Sequence, residues 1–136
     1  ELEKEIASTD PIQFCKKFWS LLRPIYVANP ADVDKLKWEN CHLITERSLM
    51  PHLMNNLLPS IHKLKMTAAS AAGLKAFVLT VHGTKDRSSP YGGAVDWVSI
   101  LPNARLLTVE GAAHAPWIEA PEKVFSAVRA FLKGSV

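Results

Sequence analysis

The sequence has 136 residues, of which 48% are hydrophobic and 21% charged; this is the size and balance of one domain with one core, and it excludes intrinsic disorder as the main state. Sixteen lysines and arginines against thirteen acids give a net charge of +3, but the basic residues are scattered among the acids and form no stripe, so nucleic-acid binding gets no support. No apolar run approaches the roughly 20 residues that cross a bilayer, and the opening Glu1-Leu2-Glu3-Lys4-Glu5 is too charged for a signal peptide, so a soluble, cytoplasmic chain without membrane contact is expected.

Asp10 can cap a helix with Pro11 in its first turn, and Ile12, Cys15, Phe18, Trp19 and Leu22 recur at helical spacing until Pro24 stops the run. This predicts an amphipathic helix with a buried stripe. Asn29-Pro30 opens a second, shorter helix through Leu36 and Trp38, and Pro51 and Pro59 punctuate a third region rich in Leu and Met. Short helices set at angles suit a lid or cap. Cys15 and Cys41 sit among apolar neighbours without CxxC spacing, which favours reduced, packed thiols and leaves a disulfide between them open. His42, His52 and His62 recur at intervals of ten, but the prolines interrupt their helices and no Cys or carboxylate completes a cluster, so no metal site is expected.

Thr67 starts an Ala-rich turn of helix that Gly73 would end, and Phe77 to Val81 reads as a strand covered on both faces. A loop from His82 to Pro90 leads to a helix around Ala94 to Leu101, and Arg105 to Val109 forms a second strand. Strand, crossover helix and strand imply parallel pairing. The last helix, Pro121 to about Leu132, places Val124, Phe125, Val128, Phe131 and Leu132 on one face. The chain therefore reads as a helical cap or lid over 1–73 followed by an α/β core with parallel strands over 74–136.

Parallel strands end on one edge of a sheet, so the loops after Val81 and Val109 open side by side, where ligands bind in open α/β sheets. Asp86 lies in the first loop and His114 in the second. A carboxylate accepting from one imidazole nitrogen fixes the tautomer and frees the other nitrogen to take a proton from a nucleophile, so the two are read as an acid and base pair. Ser88 and Ser89 stand too close to Asp86 on the same loop to serve as that nucleophile. His82, directly after the strand, is read as structural, its ring bonded to nearby backbone. Trp38, Trp97 and Trp117 are read chiefly as core aromatics, with only Trp117 near the chemistry, and Glu119 as a charge that favours the dipole of the final helix.

The segments Val78-Leu79-Thr80-Val81-His82-Gly83-Thr84-Lys85-Asp86-Arg87-Ser88-Ser89-Pro90 and Gly111-Ala112-Ala113-His114-Ala115-Pro116-Trp117-Ile118-Glu119-Ala120-Pro121 resemble the acid and histidine segments of the α/β-hydrolase superfamily, most closely the proline iminopeptidase group, in which a helical cap precedes the strand carrying the acid. The resemblance is strong over 74–134 and weaker across the cap. It implies a Ser, Asp, His triad with the serine on a GxSxG elbow. Here Gly73, Gly83, Gly92, Gly93, Gly111 and Gly134 never flank a serine at that spacing, and no HGGG-type oxyanion segment occurs. The expectation is therefore the C-terminal part of a serine hydrolase, inactive alone. His114 would act as base then acid and Asp86 as its orienter. By itself Glu46 reads as a charge on a solvated helix face; the resemblance implies that in the cap it would receive a substrate's amino terminus, and that Trp117 would line the substrate. The implied substrate is a small molecule or peptide with an N-terminal proline, or a related amide or ester; no cofactor is expected. The partner would be a missing N-terminal half. The alternative is a non-catalytic interaction module of hydrolase-derived shape that forms a homo-oligomer through an exposed strand edge.

Overall fold

The computed structural model describes residues 10–37, 41 and 52–134, and these fall into two compact units. The first unit draws on Glu1–Leu22 and Lys37–Lys65. Its α1, Pro11–Leu22, begins as the sequence dictates: the Asp10 carboxylate accepts the Ile12 amide at 3.0 Å, and Pro11 occupies a first-turn position that needs no N–H. Of the stripe, Cys15 is buried, whereas Ile12, Phe18, Trp19 and Leu22 are half-buried. Phe18 and Trp19 meet edge to face at 5.0 Å. Cys15 is joined to Cys41 in a disulfide, which corrects the expectation of reduced thiols. The chain reversal that brings their Cα atoms to 5.5 Å, within bridging range, leaves no trace in their spacing. A π-helical turn over Leu53–Leu57 runs into α2, Leu58–Lys63, with Pro59 in its first turn.

The second unit draws on Arg23–Leu36 and Met66–Val136. Residues 23–36 thus group with the strands, whereas the sequence pattern drew one boundary near residue 73. Within them a 3₁₀ helix spans Pro30–Lys35, its amide at Ala31 accepted by the Asn29 side chain, and it ends before the expected Trp38 at the buried Leu36. α3, Ala68–Ala71, is closed by a reciprocal Thr67 and Ser70 capping box.

β1, Val78–Gly83, pairs in parallel with β2, Ala104–Val109, in the register Val78 to Ala104 through Gly83 to Val109. α4, Gly92–Ile100, makes the crossover, and α5, Pro116–Glu119, and α6, Pro121–Leu132, follow. The strands are half-buried and Phe77 is 73% exposed, which corrects the expectation of a strand covered on both faces. Among the described residues the sheet has two strands, each with one edge left unpaired. On α6, Val124 is buried in a cluster with Val109 and Ala112, and Val128, Val81 and Leu107 pack half-buried against that cluster, while Phe125 and Leu132 stay exposed. Its packed face is narrower than its apolar spacing suggests. No helix among the described residues is long and apolar enough to cross a membrane.

Candidate functional site

The in-register pairing delivers the two chemistry-bearing loops to one edge. Beyond Gly83 the ladder continues, with the Thr84 amide donating to Val109 O and the Lys85 amide to Ala112 O at 2.9 Å. A Cβ at Gly83 would overlap the carbonyl oxygens of Ala112 and Ala113, so glycine is what lets the histidine loop pass this close. Gly111 turns the chain after β2 with φ +77°, a conformation that disfavours side chains, and its amide donates to Thr84 Oγ1 at 3.0 Å.

Across this junction His114 Nδ1 stands 2.8 Å from Asp86 Oδ2. Asp86 Oδ1 accepts the amides of Ser88 and Ser89 at 2.8 and 2.9 Å, and the carboxylate is 4% exposed. Burial by itself would push the Asp86 carboxyl up; the Ser89 amide, the His114 ring and the Ser88 amide together outweigh it and hold the group below its ordinary value. An ionised carboxylate can only accept, so Nδ1 carries the proton and donates to Asp86. In the neutral ring Nε2 then holds the lone pair. His114 is 36% exposed, and no described residue bonds Nε2. The pair can thus accept a proton at Nε2 and stabilise the resulting imidazolium from behind.

A second imidazole braces the acid. His82 Nε2 donates to Ser89 O at 2.7 Å, as a ring bonded to nearby backbone should, and lies 3.4 Å from the same Asp86 oxygen. Tyr91 packs edge-on against His82, and its hydroxyl meets Thr108 Oγ1 at 2.5 Å, tying the acid loop to β2.

The segment before the 3₁₀ helix contributes groups that the sequence reading did not assign to the site. Tyr26 lies edge-on to His114 with ring centroids 4.8 Å apart, and its carbonyl accepts the Ala115 amide at 3.1 Å. Arg87 reaches back from the acid loop to the carbonyls of Pro24 and Val27 at 2.5 and 3.4 Å. Glu119 accepts the amides of Ala28 at 2.6 Å and Asn29 at 3.3 Å on one oxygen and Ala113 at 2.6 Å on the other, bonds that a helix-end charge alone does not include. Tyr26 lies 88 positions before His114, with no motif to link them.

Trp117 is 47% exposed on α5, and the ring against His114 is that of Tyr26. Trp97 is similarly exposed, which corrects its reading as core. Glu46, His42 and Trp38 lie outside the described residues. His52 shares a hydrogen bond with the Asn56 amide in the first unit.

Residues 57–135, more than half of the chain, match the family model described as TAP-like protein. The chain belongs to the TAP-like family of α/β-hydrolases. Among solved structures, this TAP-like chain is similar to a serine hydrolase from the polyaromatic hydrocarbon-degrading bacterium Cycloclasticus zankles (TM-score 0.69, 16% identity, 84% of this chain and 43% of that one). It is also similar to an esterase from Exiguobacterium antarcticum (TM-score 0.58, 16% identity, 97% of this chain and 47% of that one). The TAP-like chain thus spans less than half the length of either. No curated protein sequence matches it. The mixed helix and parallel-strand architecture is that of an α/β-hydrolase, as the two loop segments implied.

Proposed function

We propose that Asp86 and His114 are the acid and base of a Ser-Asp-His triad for ester or amide hydrolysis, completed by a serine from polypeptide outside these residues. The observation that carries this reading is the 2.8 Å contact from His114 Nδ1 to an ionised Asp86, which leaves Nε2 as the only basic nitrogen of the pair. The sequence offers no GxSxG, so the serine and its oxyanion donors come from elsewhere and the chain alone is inactive. In the reaction His114 Nε2 takes the serine hydroxyl proton as the serine oxygen bonds the carbonyl carbon. The imidazolium then gives that proton to the departing alcohol or amine as its bond to carbon breaks. Water repeats the sequence on the acyl-serine, releasing the acid and regenerating the serine. The serine hydrolase and esterase likenesses support this substrate class. The finer reading, removal of an N-terminal proline with Glu46 and Trp117 as substrate contacts, rests on the resemblance of the loop segments. No cofactor enters the reaction.

The test is hydrolysis of p-nitrophenyl acetate and proline p-nitroanilide by the chain alone and by the chain combined with a GxSxG-bearing α/β-hydrolase segment. Activity is expected only in combination, lost by roughly 10³-fold or more in His114→Ala. Stoichiometric labelling of the isolated chain by a fluorophosphonate, or full activity in His114→Ala, would overturn the reading. A second reading, a self-associating module without hydrolysis, is favoured by the two-stranded sheet, which leaves one edge of each strand unpaired among the described residues. It requires a dimer or larger species in sedimentation and tight binding without turnover in the combination.

A further inference from the structure

We propose that Glu119 is a positioning residue for the His114 imidazole; this deepens the reading of His114 as the base and rests on it. Glu119 is the last residue of α5, two positions before Pro121 opens α6, yet the bonds its carboxylate makes are to loops and not to the first turn of α6. One oxygen accepts Ala113, the residue immediately before His114. The other accepts Ala28 and Asn29, which closely follow Tyr26. Both 2.6 Å contacts are charge-assisted and part-buried, and removal of the carboxylate would leave those amides without their acceptor.

The two arms close a ring of contacts around the imidazole. The backbone before His114 is held by Glu119, and the backbone after it by the Ala115 amide on Tyr26 O. The Tyr26 ring in turn packs edge-on against the imidazole, and the chain just beyond Tyr26 is anchored by the other Glu119 oxygen. A single carboxylate therefore fixes both the loop that carries the base and the segment that forms one wall for it. Asp86 selects the proton's nitrogen; Glu119 holds the ring where Asp86 can be met.

The experiment is nitrogen-15 NMR of the His114 ring in the 136-residue chain and in the variants Glu119→Gln and Glu119→Asp, with amide exchange across β1 and β2 recorded in the same samples. In the unaltered chain the Nδ1–H tautomer dominates. Glu119→Gln keeps one acceptor but turns an NH₂ toward amide donors, and Glu119→Asp keeps the charge but loses a methylene of reach. Both are expected to lower the ratio of Nδ1–H to Nε2–H tautomer by about tenfold, the scale of one charge-assisted hydrogen bond, while strand protection is unchanged. An unchanged ratio in Glu119→Gln overturns the proposal. So does a normal ratio in Glu119→Asp, because charge without the bridge would then suffice. Loss of strand protection together with the tautomer would make Glu119 a general stability residue and overturn it as well. Failure of the acid and base reading appears elsewhere, as hydrolysis by the combined polypeptide that survives His114→Ala, and leaves the tautomer result standing.

Discussion

Tyr26 stands edge-on to His114 at a centroid separation of 4.8 Å and an interplanar angle of 71°, so the imidazole is braced by an aromatic ring as well as by a carboxylate. Edge-to-face pairs contribute about 0.5–1.5 kcal/mol beyond their burial. A double-mutant cycle in urea with Tyr26→Leu and His114→Ala is expected to give a coupling energy in that range. Strict additivity of the two single changes would show that the rings do not support each other.

Gly83→Ala should destabilise the second unit by about 1–3 kcal/mol, toward the upper end, because the obstructing atoms are backbone carbonyls that cannot rotate aside. Urea unfolding gives the magnitude. Faster exchange of the Lys85 amide, now bonded to Ala112 O, would locate the damage at the junction of the two loops. A variant as stable as the unaltered chain would contradict the close approach.

Asp86 adds a dependence on acid pH to the stability of the second unit. Its native carboxyl is depressed below its unfolded value, so it adds stability that is fully present above the ordinary aspartate range, about pH 4, and is lost as pH falls through the lower native value. As pH falls below the ordinary aspartate value, about 4, the difference in melting temperature between the unaltered chain and Asp86→Asn should shrink. A difference that grows over that range would mean that the carboxyl is raised and buried without its partners.

The Cys15 to Cys41 bond predicts no free thiol when the unreduced chain is denatured and titrated with Ellman's reagent, and two thiols after reduction. Closing a loop across 26 positions constrains the unfolded first unit by about 3 kcal/mol, so Cys15→Ser should lower its unfolding midpoint. Two titratable thiols at the outset would mean that Cys15 and Cys41 are not joined.

The elements were legible where local chemistry decides them. Pro121 and the 3.6-residue rhythm after it mark α6 at both ends, and the apolar runs before His82 and Glu110 mark two strands whose separation demands a crossover. The Asp86 and His114 pairing followed from topology alone, because parallel strands must present their following loops together. What escaped was long-range. Glu119 sits near a helix start, where a helix-end charge accounts for it, and only folding brings Ala28 to its oxygen. Tyr26 belongs to a stretch that reads as cap because Pro24 and Pro30 break it, yet its neighbour Val27 is among the most buried residues of the second unit. The outward Trp97 shows the reverse error, since an aromatic side chain does not fix its own burial.

The parallel register has a consequence for insertions and deletions. Side chains alternate along a strand, so one residue inserted between Leu107 and Thr108 would swing Val109 out of the hydrophobic cluster and carry His114 away from Asp86. The same insertion between Leu101 and Pro102 falls before β2 begins, where slack in the connection can absorb it. The molecule therefore measures the Asp86 to His114 distance in strand steps, and tolerance to length change should drop abruptly at Ala104.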